Sequence, residues 1–300
     1  MSGDHQHDHA EGRHGDRRRL VGALVVTSFI LVAEAVGGWL AHSLALLSDA
    51  GHMFSDVVAQ ALSLAALVIA ARPADARRTY GWHRVEILAA LGNGVALVVL
   101  ALVIVWEGWR RLQAPVAVQT SLMIPIAAIG FAANIVGVWL LHGSHSLNVK
   151  GAYLHILGDT LSSVAVLVGG TIMYLAHGMF WLDPALSIAI GLFILYSSYA
   201  LIRDAVDVLL EAVPRDVDLA AVTHAIDGMP AVVAVHDLHV WTITSGLLAL
   251  SAHIVVRQTD HAARDLLINE IKRVLAKTHK IAHTTLQIES ESYDHECHVC

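Results

Sequence analysis

The chain has 300 residues, 56% of them hydrophobic and only 15% charged, with a mean hydropathy of +0.59. That balance excludes an ordinary soluble domain of this size and points to an integral membrane protein. A net charge of −7, with no basic cluster interleaved with aromatics, argues against nucleic acid as a partner, and two cysteines confined to the last four residues argue against a disulfide framework.

The opening run MSGDHQHDHAEGRHGDRRR, residues 1–19, is polar and acidic, so it reads as a disordered, His-rich head and not as a secretory signal. His5, His7, His9 and His14 suit either metal capture or a merely solvated tail. Six apolar segments follow: Leu20–Ala41, Leu44–Ala71, Val85–Trp109, Leu122–Leu141, Tyr153–Ala176 and Pro184–Ile202. Each matches or approaches the roughly 20 residues a helix needs to cross the hydrocarbon. Arg13 and Arg17–Arg19 precede the first segment, Arg72, Arg77, Arg78 and Arg84 separate the second from the third, Lys150 precedes the fifth, and Arg203 follows the sixth. The first and fifth connections carry no Lys or Arg, so both termini are expected in the cytoplasm, against the lone dissent of Arg110–Arg111. From Arg203 to the end the composition is that of a small soluble domain. Asp216–Met229 reads as a helix stopped by Pro230, VVAVHDLHVW and LLALSAHIVV as strands, His261–Thr278 as a helix, and HTTLQIES as a third strand. The expected fold is a six-helix all-α transmembrane bundle over residues 20–202. A cytoplasmic α+β domain of order αββαβ, with one sheet face open, follows over 203–300.

The second apolar segment carries Asp49, His52, Asp56, Gln60 and Ser63 at steps of three and four, a single polar stripe on a helix. The fifth repeats the pattern with His155 and Asp159, continued by Ser162 and Ser163. If the stripes face each other, two imidazoles and two carboxylates converge, a donor set that suits a divalent transition metal such as zinc. Two carboxylates neutralise one M²⁺. Emptied, the same site holds two anions, each costing about 2.5–3.5 kcal/mol at a helix centre, and protons are the natural replacement. Twenty histidines, more than the 19 Lys and Arg together, fit a metal-handling protein. Buried polar contacts between helices are the bland alternative, and that reading suits Asn93 and Asn134. Glu34 and Glu107 stay open between structure and a water path. Gly37–Gly38 and Gly92–Gly94 read as sites of close packing or bending.

In the C-terminal domain, strict alternation sends His236 and His239, three apart, to opposite faces, whereas His283, Gln287 and Glu289 share one. His253 is a further candidate ligand. The tail HECHVC brings Cys297 and Cys300 in a Cys-x-x-Cys pair, beside His295 and His298, which can chelate zinc as half a site needing other ligands; a redox pair is the alternative, although the run lacks the helix N-terminus that lowers a thiol pKa. Asp75 and His83, between the second and third segments, form a candidate transit site for metal.

SDAGHMFSD, YGWHRVEILAAL and AYLHILGD, together with HDLHVW and HTTLQIE, resemble the cation diffusion facilitator family, in particular its zinc-transporting branch of bacterial cobalt–zinc–cadmium resistance exporters. The resemblance runs from about Leu20 to the end. It implies a homodimeric exporter that moves Zn²⁺ out of the cytosol in exchange for H⁺ by alternating access, with Cd²⁺ and Co²⁺ as further substrates. The implied location is the bacterial plasma membrane, and the C-terminal domain would have a ferredoxin-like, metallochaperone-like fold. It places the transport site on His52, Asp56, His155 and Asp159, leaving Asp49 outside it. It also places a regulatory cytoplasmic metal site on His236, His253 and Glu289, joined by Cys297 and Cys300; Gln287 departs from members with histidine there. Moving M²⁺ out against 100 mV costs about 4.6 kcal/mol, and each entering proton returns about 2.3. No GxxxxGK[ST] suggests a nucleotide. A membrane-anchored metal sensor or buffer, and a passive metal channel, are the alternatives. An enzyme is not expected, because the sequence holds neither HExxH nor a nucleophile–base arrangement.

Overall fold

The computed structural model describes residues 25–70, 72–141, 147–176, 178–244, 246–257 and 260–291; at 63, 64, 67, 140, 141 and 147–155 it describes the backbone and not the side chains. The described residues form helices α1 (Val25–Ala41), α2 (Leu44–Ala70), α3 (Arg84–Gln113), α4 (Thr120–Leu141), α5 (Leu147–Ala176) and α6 (Leu182–Leu209). These are followed by α7 (Leu219–Asp227), strands β1 (Val232–Thr244) and β2 (Leu247–Val256), α8 (His261–Thr278) and β3 (Ile281–Ser290). Four of them, α3 to α6, contain stretches long and apolar enough to cross a membrane. The chain divides into two compact units, one of residues 1–61 and 92–200, the other of 62–91 and 201–300.

In the first unit, Leu46, Ala101, Met123, Met173 and Ile194 close a core between helices, while Trp39, Trp106, Trp139 and Tyr196 lie on the outside. An apolar exterior around an apolar core is what a bilayer permits and water does not. Close approach is built with glycine at defined points. A Cβ on Gly38 would stand 2.9 Å from the Leu47 backbone nitrogen, and one on Gly37 would stand 2.3 Å from Ile126 Cδ1. Gly92 behaves otherwise, with open space where its Cβ would be, so packing does not require glycine there.

The α1–α2 break is tied down by polar groups. His42 adopts φ +57°, and its carbonyl accepts from Arg111 Nη1 at 2.8 Å. Ser43 caps α2, its Oγ accepting from Leu46 N, while buried Asp183 at the start of α6 accepts from Leu44 N, Ala45 N and Ser43 Oγ. The first amides of α2 thus find side-chain acceptors although no water reaches them.

The second unit contains the αββαβ order expected from the sequence. Helix α7 starts later than expected because Asp218 is its N-cap, accepting from Ala220 N and Ala221 N. Asp260 caps α8 in the same way. β2 is central, antiparallel to β1 and parallel to β3. Leu250, Ile254 and Val256 of β2 point to Val222, Ile226, Ile271 and Leu275 of α7 and α8, the core of the unit. Among the described residues α7 and α8 cover one sheet face, and polar side chains occupy the other.

Candidate metal centres

Helices α2 and α5 bring His52, Asp56 and Asp159 together, with one ligand atom from each within 4.8 Å of the others. His52 Nε2 stands 3.7 Å from Asp56 Oδ2, one helical turn on, and 3.8 Å from Asp159 Oδ1 across the interface. These separations are too long for direct hydrogen bonds and leave a space between the three groups. All three side chains are shielded, with Asp159 buried and the other two nearly so. His155 lies one turn before Asp159 on α5, and its side chain is outside the described residues. A cavity of about 430 Å³ opens against Asp49, His52 and Asp159 and continues past Ser162 to Ala189 and Phe193.

The five-residue stripe on α2 does not act as one unit. Asp49 is buried and accepts from Ser162 Oγ at 2.6 Å. Gln60 is exposed, and Ser63 falls where no side chain is described. On α5 the two serines diverge: Ser162 serves Asp49, whereas Ser163 accepts from Asn134 Nδ2 at 3.0 Å. Asn93 accepts from Ser55 Oγ, so both asparagines join neighbouring helices. Glu107 pairs with Arg110 and Arg111 on its own helix. Glu34 is nearly inaccessible, packed against Gly130. Asp183 escaped the sequence reading, since a lone Asp at the start of an apolar segment looks like that segment's own cap.

The second cluster lies on the polar sheet face. His236 pairs with His253 across β1 and β2, and Glu289 follows Gln287 on β3. His236 Nε2 and His253 Nδ1 each stand 3.0 Å from a different oxygen of Glu289, and the two rings meet edge to face at 5.2 Å. Burial pushes the Glu289 carboxyl up, but the hydrogen bonds from His236 and Gln287 and the charges of both histidines outweigh it and hold the group below its ordinary value. Gln287 Nε2 donates to Glu289 Oε1 at 2.7 Å, so the amide orients the carboxylate.

The expectation that His236 and His239 face opposite ways is overturned. The register slips between them: His236 faces His253 and His239 faces Ser251, so three steps on β1 match two on β2. Asp237 absorbs the extra residue at φ +52°, a conformation Asp tolerates better than most side chains. The bulge returns His239 to the face of His236 and inserts Asp237 as a bridge, 3.1 Å from His239 Nε2 and 3.7 Å from His253 Nε2.

Asp75 and His83 belong to neither cluster found among the described residues. The Asp75 carboxylate accepts from Arg77 N and Arg78 N and pairs with Arg78 Nη1, and those bonds, led by the one from Arg77 N, hold it below its ordinary value. The structure gives it a loop-shaping role. Cys297 and Cys300, like His295 and His298 and the N-terminal histidines, lie outside the described residues.

A model of the cation efflux transmembrane domain matches residues 20–210, and a model of the cation efflux protein cytoplasmic domain matches 214–291. The chain belongs to the cation efflux family. Among its relatives in that family, the metal cation efflux system protein CzcD of Cupriavidus metallidurans is 42% identical over 96% of this chain and 90% of its own length. A cadmium, cobalt and zinc/H(+)-K(+) antiporter of Bacillus subtilis is 37% identical over 97% of this chain and 94% of its own. The zinc transporter ZitB of Escherichia coli is 38% identical over 98% and 96%. A solved structure of the metal-bound C-terminal domain of the Cupriavidus CzcD transporter is 38% identical, covering 24% of this chain and 99% of that one, with a TM-score of 0.23. This member of the cation efflux family is an integral membrane protein, and its relatives are named as transporters.

Proposed function

We propose that the protein exports Zn²⁺, with Cd²⁺ and Co²⁺ as further substrates, from the cytosol in exchange for protons. The transport site is His52, Asp56, His155 and Asp159. The observation that carries this reading is the shielded convergence of His52, Asp56 and Asp159 from two apolar helices onto one space. Ionised carboxylates inside a bilayer need a cation. One M²⁺ neutralises two of them, and after its release protons take its place on the same oxygens. Alternating access then exposes the group set to each side in turn, consistent with the antiporter and efflux names of relatives at 37–42% identity. The basic residues flanking the apolar segments favour cytoplasmic termini in a bacterial plasma membrane. His236, His253 and Glu289, joined by Cys297 and Cys300, form a regulatory site in a cytoplasmic domain that pairs with a second copy. Metal bound there draws the two domains together and biases the membrane halves.

The test is Zn²⁺ flux into inverted proteoliposomes with lumenal pH recorded, for wild type, Asp159→Asn and Asp159→Ala. Removing one partner of a buried charged set costs about 3–5 kcal/mol, which lowers metal affinity by about two to nearly four orders of magnitude. Zinc and protons moving oppositely in wild type, with both fluxes lost in the variants, is the expected result. Zinc flux indifferent to the proton gradient establishes a channel instead. No flux, with metal binding confined to the soluble domain, establishes a sensor.

A further inference from the structure

Within the second unit, the connection from α2 to α3 and the first turns of α3 enclose a cavity of about 610 Å³ together with Glu211 and β1. Its wall is cationic: Arg77, Arg78 and Arg84 line it against one carboxylate, Glu211. The arginines retain donors for a ligand. Arg84 gives one Nη2 to Glu211 Oε1 at 2.6 Å, and Arg78 gives one Nη1 to Asp75 at 3.1 Å, out of five N–H groups on each guanidinium. Arg78 is also held in place, its guanidinium lying 3.7 Å from the Trp82 ring centroid. Arg77 also lines the cavity, its backbone N–H held by the Asp75 carboxylate at 2.8 Å.

The rest of the lining is apolar and aromatic, with Trp82, Trp241 and Leu88 contributing. Leu88 is 54% exposed, one turn past Arg84 on the helix whose apolar stretch begins at Arg84. Basic and aromatic side chains at the end of a span mark the level of the lipid headgroups. A cationic wall repels metal ions. An inorganic phosphate would use the arginines and leave the aromatic lining and Leu88 without a partner. We propose that this cavity binds the headgroup of an anionic phospholipid of the phosphatidylglycerol class. Arg77 and Arg84 hold the phosphodiester, the glycerol portion lies against Trp241, and the acyl chains leave past Leu88.

The full-length protein, released from vesicles of equal phosphatidylglycerol and phosphatidylcholine, is analysed by native mass spectrometry for retained lipid. Wild type retains phosphatidylglycerol in preference. Arg77→Ala lowers its affinity about fivefold, the factor equivalent to roughly 1 kcal/mol per basic residue near anionic lipid. Arg77→Lys keeps most of it, and Glu211→Gln raises it, because the opposing charge is gone and Arg84 is freed. A thermal unfolding midpoint in each variant equal to that of wild type shows that the fold is intact. Equal retention of both lipids, or affinity unchanged in both Arg77→Ala and Glu211→Gln, overturns the proposal. Displacement of the lipid by millimolar inorganic phosphate overturns it as well, assigning the arginines to a free phosphate.

Discussion

Asp183 carries the sharpest structural prediction. Its carboxylate, fully buried, accepts from Ser43 Oγ at 2.6 Å, Leu44 N at 2.7 Å and Ala45 N at 3.2 Å, joining the start of α6 to the start of α2. Asp183→Ala leaves two backbone donors and one hydroxyl without an acceptor where water does not reach. Interhelical hydrogen bonds in membranes average about 0.6 kcal/mol and reach about 1.7. Three such bonds, with a charge at a helix N-terminus, sum to about 2–4 kcal/mol after relief of the buried carboxylate's own desolvation. Asp183→Asn keeps a carbonyl acceptor and loses about half as much. The assay is reversible unfolding in mixed micelles, followed by tryptophan fluorescence, with Ser43→Ala completing a double-mutant cycle. The expected coupling between Ser43 and Asp183 is about 1 kcal/mol. A change below about 0.5 kcal/mol for Asp183→Ala, or equal losses for Asn and Ala, refutes the reasoning.

Gly38→Ala places a methyl 2.9 Å from the Leu47 backbone nitrogen, so α1 and α2 must separate; a loss of about 1–3 kcal/mol is expected in the same unfolding assay. Asn134→Ala removes the donor to Ser163 and costs about 1 kcal/mol, with Asn134→Gln failing to restore it because the longer amide overshoots the 3.0 Å contact. The depressed Glu289 carboxyl gives stability that is complete above its ordinary value of 4.5 and is lost as pH falls through the lower folded value. Metal-free wild type therefore loses stability on acidification below about pH 4.5 more steeply than Glu289→Gln, as thermal unfolding between pH 3 and 6 will show; parallel slopes would falsify the assignment.

The sequence made the helical segments and the αββαβ order legible because both rest on periodicity, and periodicity is a local property. Strand β2 and helix α8 have the boundaries expected, Leu247–Val256 and His261–Thr278. The grouping of His52 with Asp56 was legible for the same reason, since four residues on a helix return a side chain to the same face. What alternation could not supply was the direction of His239. A bulge adds one residue to one strand, and its only local sign is an Asp able to take positive φ between two histidines, a sign equally consistent with unbroken pairing. The same long-range dependence hid Asp183, whose partners lie about 140 positions earlier in the chain. Yet the bulge follows from chemistry already present in the segment. With regular pairing, HDLH would turn His239 toward the Leu250 and Ile254 side, burying an imidazole among aliphatic side chains without a partner. One inserted residue instead places Val240 in that core, where it is 2% exposed, and returns His239 to the polar face beside Asp237. The apolar residue after the second histidine and the carboxylate before it thus select the register that assembles the polar face.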